Sequence, residues 1–97
     1  MKYMMVRWLH DFPSEPVVIY SEMDDARWEK RKIEVYRDGT VSFVGGNMFF
    51  GSSALSIEPL PPKEFIESDP QFEVFSIDAE EFENVWEKAR AVLFKKN

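Results

Sequence analysis

The last quarter of the chain carries the pattern that most limits its fold. Asp78 stands three residues before Glu81, the spacing of a helix N-cap and its acidic partner, and Ile77 precedes it where a hydrophobic staple would sit. Phe82, Val85, Trp86, Ala89, Val92 and Leu93 follow at helical spacing and form one broad apolar stripe. Glu80 and Glu81 lie at the start of this helix, and Lys88, Arg90, Lys95 and Lys96 gather late in it, each sign matched to the helix dipole. Glu83 and Glu87 share a face that can stay wet. A helix with one apolar face draws most of its stability from what it lies on, so the preceding residues must build a surface for it.

Those residues read as strands. Residues 3–9 place Tyr3, Met5, Arg7 and Leu9 on one face and Met4, Val6, Trp8 and His10 on the other, and since neither face is polar throughout, a central strand is predicted. Asp11 to Pro16 contains two prolines and forms a connection, after which Val17 to Tyr20 pairs antiparallel with the first strand. Glu22, Asp24 and Asp25 read as an acidic turn, and Arg27 to Arg37 as a long third strand with Glu29, Arg31, Ile33 and Val35 on one face. Asp38-Gly39 signals a two-residue hairpin turn. Strand four runs from Thr40 to Val44, with Val41 and Phe43 inward and Ser42 outward.

Gly45-Gly46-Asn47 ends that strand, and Met48 to Ser53 is a short fifth strand or a loop. Ala54 to Ile57 can pair at a sheet edge, Pro62 to Glu67 can form a short helix, and Phe72 to Ile77 is an extended lead into the final helix. The expectation is a single α+β domain over residues 1–97, with an antiparallel β-sheet of four to five strands packed by the C-terminal helix.

Composition narrows the function classes. At 97 residues the chain has room for one modest core and little for a large nucleotide-binding fold. Twelve basic and eighteen acidic residues give a net charge of −6, which repels phosphate backbones unless the cations are gathered on one face. The absence of cysteine excludes disulfides and thiolate metal sites, and a single histidine, His10, excludes the two-histidine metal motifs. No cofactor and no metal is expected. Arg7 and His10 interrupt the apolar N-terminal run, so no membrane segment is expected and a cytoplasmic location is the default.

Few residues are arranged for chemistry. His10 beside Asp11 is the one acid–base pair in sequence, and an enzyme using them together with Arg7 is one alternative. On a strand, consecutive side chains point to opposite faces, so this pair meets only where the strand has ended. Glu22, Asp24 and Asp25 lack the length and the central glycine of a calcium loop. Arg27, Lys30, Arg31, Lys32 and Arg37 alternate with Trp28 and Tyr36 as a single-stranded nucleic-acid platform would, although Glu29 and Glu34 break the run. Phe49 and Phe50, flanked by Gly and Ser, suit interface anchors.

The pieces Val6-Arg7-Trp8-Leu9-His10-Asp11-Phe12, Glu15-Pro16, Tyr20-Ser21-Glu22, Asp24-Asp25, Arg27, Glu29, Arg31-Lys32, Glu34 and Arg37-Asp38-Gly39, with the acidic start Asp78-Ala79-Glu80-Glu81-Phe82, resemble a family of short bacterial proteins of uncharacterised function. The likeness covers most of the chain and is most distinctive over its first forty residues. It departs at Gly45 to Ser53, which is apolar and glycine-rich here. The resemblance implies a compact domain and carries over no catalytic residue. The leading expectation is a protein-binding domain, immunity- or antitoxin-like, that covers a basic partner through Glu22, Asp24, Asp25, Trp28, Phe49 and Phe50. A homodimer through an aromatic edge strand is a further expectation.

Overall fold

A computed structural model describes residues 1–94. Five strands, β1 (Lys2–Trp8), β2 (Val18–Met23), β3 (Glu29–Val35), β4 (Val41–Gly45) and β5 (Met48–Phe50), form an antiparallel meander. A short helix α1 (Lys63–Glu67) leads to β6 (Phe72–Ser76), and α2 (Ala79–Arg90) ends in one 3-10 turn, Ala91–Phe94. The sheet order is β5-β4-β3-β2-β1-β6. The α+β class and the packing against the C-terminal helix are as expected, but the sheet has six strands where the sequence predicts four to five. The extra strand is β6, the stretch expected only to lead into the helix. It fills the second hydrogen-bonding side of β1, from Met4↔Ser76 to Trp8↔Phe72, which places β1 in the sheet interior as predicted.

The front face of the sheet carries α2. Cross-strand register aligns Met5, Tyr20, Ile33, Phe43 and Phe50 in one row, and Phe82, Trp86 and Ala89 of the helix close over its centre. Trp86 meets Phe43 edge-on with ring centroids 5.4 Å apart, and Tyr3 lies 5.2 Å from Phe82. Phe43 and Phe82, both fully buried, each contribute about 2 kcal/mol of transfer free energy. Asp78 caps the helix as read from sequence, its Oδ1 accepting the Glu81 N–H at 2.8 Å. The apolar stripe is one residue shorter than expected, because Leu93 falls in the 3-10 turn and stays exposed. The predicted C-terminal cations Lys95 and Lys96 lie outside the described residues.

β5 and β6 sit at opposite edges, so the chain between them must cross the sheet, and it does so over the back face. Leu60, Ile66 and Phe72 cover a second apolar cluster of Met4, Val6, Met23 and Val74. Ala54 to Ile57, expected as an edge strand, belongs to this crossing strap and pairs with no strand. Ser42 points away from α2 as predicted, yet the strap buries it.

Local geometry departs from the sequence expectation in three further places. Glu22 belongs to β2 and not to a turn. The β2–β3 register shifts between Glu22↔Arg31 and Met23↔Glu29, so Lys30 is an extra residue and Glu29 turns to the back face with Ser21 and Lys32. This bulge reverses the predicted grouping of Glu29 with Arg31, and it leaves Arg27, at φ 69°, and Trp28 outside the strand. The Asp38-Gly39 hairpin is a three-residue loop closed by Tyr36 N–H to Thr40 O, in which Gly39 alone has positive φ. The two-residue turn is Gly46-Asn47, with φ 59° and 66°, a pair of positive values that the type I′ geometry demands.

Candidate functional site

The β2–β3 loop and the Gly46-Asn47 turn both project beyond the row formed by Glu22, Arg31, Gly45 and Met48, so they share one end of the sheet. Five of the six residues predicted for partner binding lie in that loop or on the strand that follows the turn. Trp28 is 42% exposed, Phe49 73% and Phe50 40%. Asp25 is exposed as well. Asp24 is turned onto its own loop, where it accepts the N–H groups of Trp28 at 2.9 Å and Ala26 at 3.0 Å and pairs with Lys30 at 3.6 Å. These bonds, that from Trp28 foremost, hold its carboxyl below the usual range.

Glu22 is not available to a partner. It is only 6% exposed, and both its oxygens accept from Arg31, at 2.7 Å each. The guanidinium also pairs with Glu83 and lies 4.9 Å and 5.0 Å from the ring centroids of Phe82 and Trp86. The Arg31 bonds dominate in holding the Glu22 carboxyl below its ordinary range, against the opposing effect of burial. Burial and the Glu22 carboxylate together raise the Tyr3 phenol. A strand residue followed nine positions later by arginine is the only trace of this pair in the sequence, and the regular β2–β3 register, which sets Glu22 opposite Arg31, decides that they meet.

Phe49 and Phe50 diverge. Phe50 faces front and stacks on Phe43 at 6.0 Å, while Phe49 faces back. Tyr36 N–H bonds to Thr40 O, so Ser42 and Val44 turn their backbone groups to β3, and Phe43 and Gly45 turn theirs to Phe50 and Met48 of β5. By this alternation the N–H and C=O of Phe49 point off the sheet edge, beside its exposed ring.

The basic run does not form a free platform. Arg27 donates to the carbonyls of Leu60 and Pro61, Lys30 pairs with Asp24, Arg31 with Glu22 and Glu83, and Lys32 with Glu29 at 3.1 Å. Arg37 donates to His10 O at 2.6 Å. Every cation of that run therefore has an intramolecular partner.

His10 is likewise engaged with backbone. Its Nδ1 accepts the Phe12 N–H at 2.9 Å, which leaves Nε2 as the donor to Pro16 O at 2.7 Å. The imidazole thus folds the β1–β2 connection back on itself, while Asp11 is exposed to solvent. Sequence reading missed what surrounds it: Trp8 lies 4.3 Å from His10 and 5.9 Å from Phe72, and His10 stacks on Phe12 at 5.3 Å. Alternation placed Trp8 and His10 on one face, but Phe72 joins them only through the β1–β6 pairing. Among the described residues no group of three or more His, Cys, Asp or Glu is placed to hold a metal ion, and no helix is long and apolar enough to cross a membrane.

No curated protein and no solved structure matches the chain. A family model does, and it agrees with the resemblance read from the sequence. The model is that of a domain of unknown function (DUF6881), it matches residues 2–91, and the chain belongs to that family.

Proposed function

We propose that this chain is a protein-binding domain of the immunity- or antitoxin-like kind, which covers a basic partner with an acidic and aromatic surface. The observation that carries this reading is Phe49. A phenylalanine 73% exposed on an edge strand, with its own N–H and C=O turned outward, offers a partner both an apolar anchor and a place to add a strand. Trp28 and Asp25 project from the same end of the sheet, and Asp24 orders the loop that carries them. The net charge of −6 supports a partner of opposite sign, since the cations of the central run are spent on internal partners. Glu22 is left out of this surface because Arg31 occupies it.

The test is recovery on the tagged full chain from its native extract, quantified by mass spectrometry at low and high salt. We expect one basic protein in near-equal amount, lost at high salt because screening shortens the reach of its charges, and lost also on Phe49→Ser, a change at an exposed site that leaves the core intact. Recovery of nothing stoichiometric, or of a protein indifferent to both salt and Phe49→Ser, overturns the reading.

A further inference from the structure

The β1–β2 connection is closed at its base by Trp8 N–H to Val17 O at 2.9 Å, and between those residues His10 ties it to itself. His10 is half-buried, and its ring nitrogens play opposite parts: Nδ1 accepts the Phe12 N–H at 2.9 Å and Nε2 donates to Pro16 O at 2.7 Å. A backbone N–H only donates and a carbonyl only accepts, so the two bonds coexist in one neutral tautomer alone. Protonation puts a hydrogen on Nδ1 and sets it against the Phe12 N–H, donor against donor. Turning the ring over restores nothing, because both nitrogens of the cation are donors. The Nε2 bond to Pro16 O survives. Acid therefore removes one bond of the two, and the geometry fixes which one.

The surroundings can hold the cation where it forms. Trp8 lies 4.3 Å from the imidazole and Phe12 stacks on it at 5.3 Å, and aromatic rings receive a neighbouring positive charge. Trp8 itself is fixed from the β6 side, its Nε1 donating to Gln71 Oε1 at 2.9 Å and Gln71 Nε2 donating in turn to Asp69 Oδ2 at 3.2 Å. Asp11 and Glu15, both exposed on the connection, favour a positive charge. Arg37, whose Nη2 donates to His10 O at 2.6 Å, opposes it, while Asp38 beside it is turned onto Thr40. Arg7 lines the same surface cavity as His10 but is paired with Glu73 at 3.2 Å.

We propose that His10 is a proton-operated latch on this connection. Neutral, it holds Phe12 beside Trp8; protonated, it releases the Asp11–Phe12 peptide while Nε2 keeps the Pro16 end in place. Imidazole changes charge between about pH 5 and 8, so the latch opens in mild acid. Opening frees Phe12, already 56% exposed, next to the exposed Leu9, at the end of the sheet opposite Trp28 and Phe49. The device is independent of the protein-binding reading, and either can fail without the other.

The test is a titration of the isotope-labelled full chain from about pH 8 to about pH 5, followed by nuclear magnetic resonance. At the upper end the imidazole nitrogen shifts should report the Nε2–H tautomer. As the imidazole titrates, exchange protection of the Phe12 amide, relative to an unfolded chain at the same pH, should fall about fivefold, the worth of one backbone bond. The Trp8 and Leu9 amides, bonded to Val17 O and Gln71 O, should keep theirs. His10→Gln should abolish the pH dependence at Phe12, and if that variant does not fold, the tautomer and the Phe12 exchange of the parent decide. An Nδ1–H tautomer at the upper end, Phe12 protection that stays constant while the imidazole titrates, or the same fall in His10→Gln each overturn the proposal.

Discussion

The two faces of the sheet are both covered, but by different physics. On the front, α2 satisfies its own backbone hydrogen bonds and needs from the sheet only an apolar surface, which Ile33 and Phe43 provide beneath Phe82 and Trp86. On the back, the strap after β5 is irregular, so its carbonyls and N–H groups must find partners in the sheet beneath. Lys32 donates to Ala54 O, Glu29 accepts from Ser56 N–H, and Arg27 holds Leu60 and Pro61. Burying irregular backbone therefore brings charged side chains into the interior, and each of these then needs a partner of its own. Glu29 finds Lys32 and Ser21. The lesson is that a regular element asks for shape and an irregular one asks for chemistry.

The largest expected effect tests the dry side of this comparison. Trp86→Ala removes the ring that meets both Phe43 and Phe82, and should lower unfolding free energy by about 4 kcal/mol in a urea titration. A loss under 1 kcal/mol would mean that α2 is not the principal cover of the sheet.

The front face also holds Arg31 between Glu22 and Glu83, and pH sharpens what this cluster does. Because the Glu22 carboxyl titrates below its ordinary value of 4.5 in the folded chain, its contribution is complete above that value and is lost as pH falls through the lower, folded one. Glu22→Gln leaves Arg31 with Glu83 alone and should cost about 3 kcal/mol at neutral pH. The variant should also lose part of the stability decline that the parent shows below pH 4.5. Equal acid dependence in both proteins would show that the pair does not govern it.

The back face predicts a smaller and more local change. Glu29→Gln keeps the shape but removes the charge facing Lys32, for a loss of about 2 kcal/mol. Amide exchange should quicken across residues 52–61 while α2 keeps its protection. Uniform quickening in both places would erase the distinction drawn between the two faces.

Much of this architecture is readable from local pattern. The α2 cap and stripe follow from Asp78, Phe82 and Trp86, and the short helix from Pro62, because each feature depends on residues within a few positions of one another. The alternation of Tyr3, Met5 and Arg7 against Met4, Val6 and Trp8 carries through into β1. The candidate surface is only partly readable in this way. Trp28, Phe49 and Phe50 are exposed as their Gly, Ser and Asp neighbours suggest, but Glu22 looks from sequence like Asp24 and Asp25, and nothing local distinguishes a carboxylate that will meet Arg31 from one that will meet water.

The helix, the alternating strands and the excess of negative charge are legible in the linear chain, since capping, periodicity and composition are properties of neighbouring residues. The sixth strand, the bulge at Lys30 that turns Glu29 inward and the strap over the back face arise only once the chain has folded. Each of these brings together residues far apart in the chain. Their pairing is set by which hydrogen bonds and apolar surfaces remain to be satisfied once the local elements have formed.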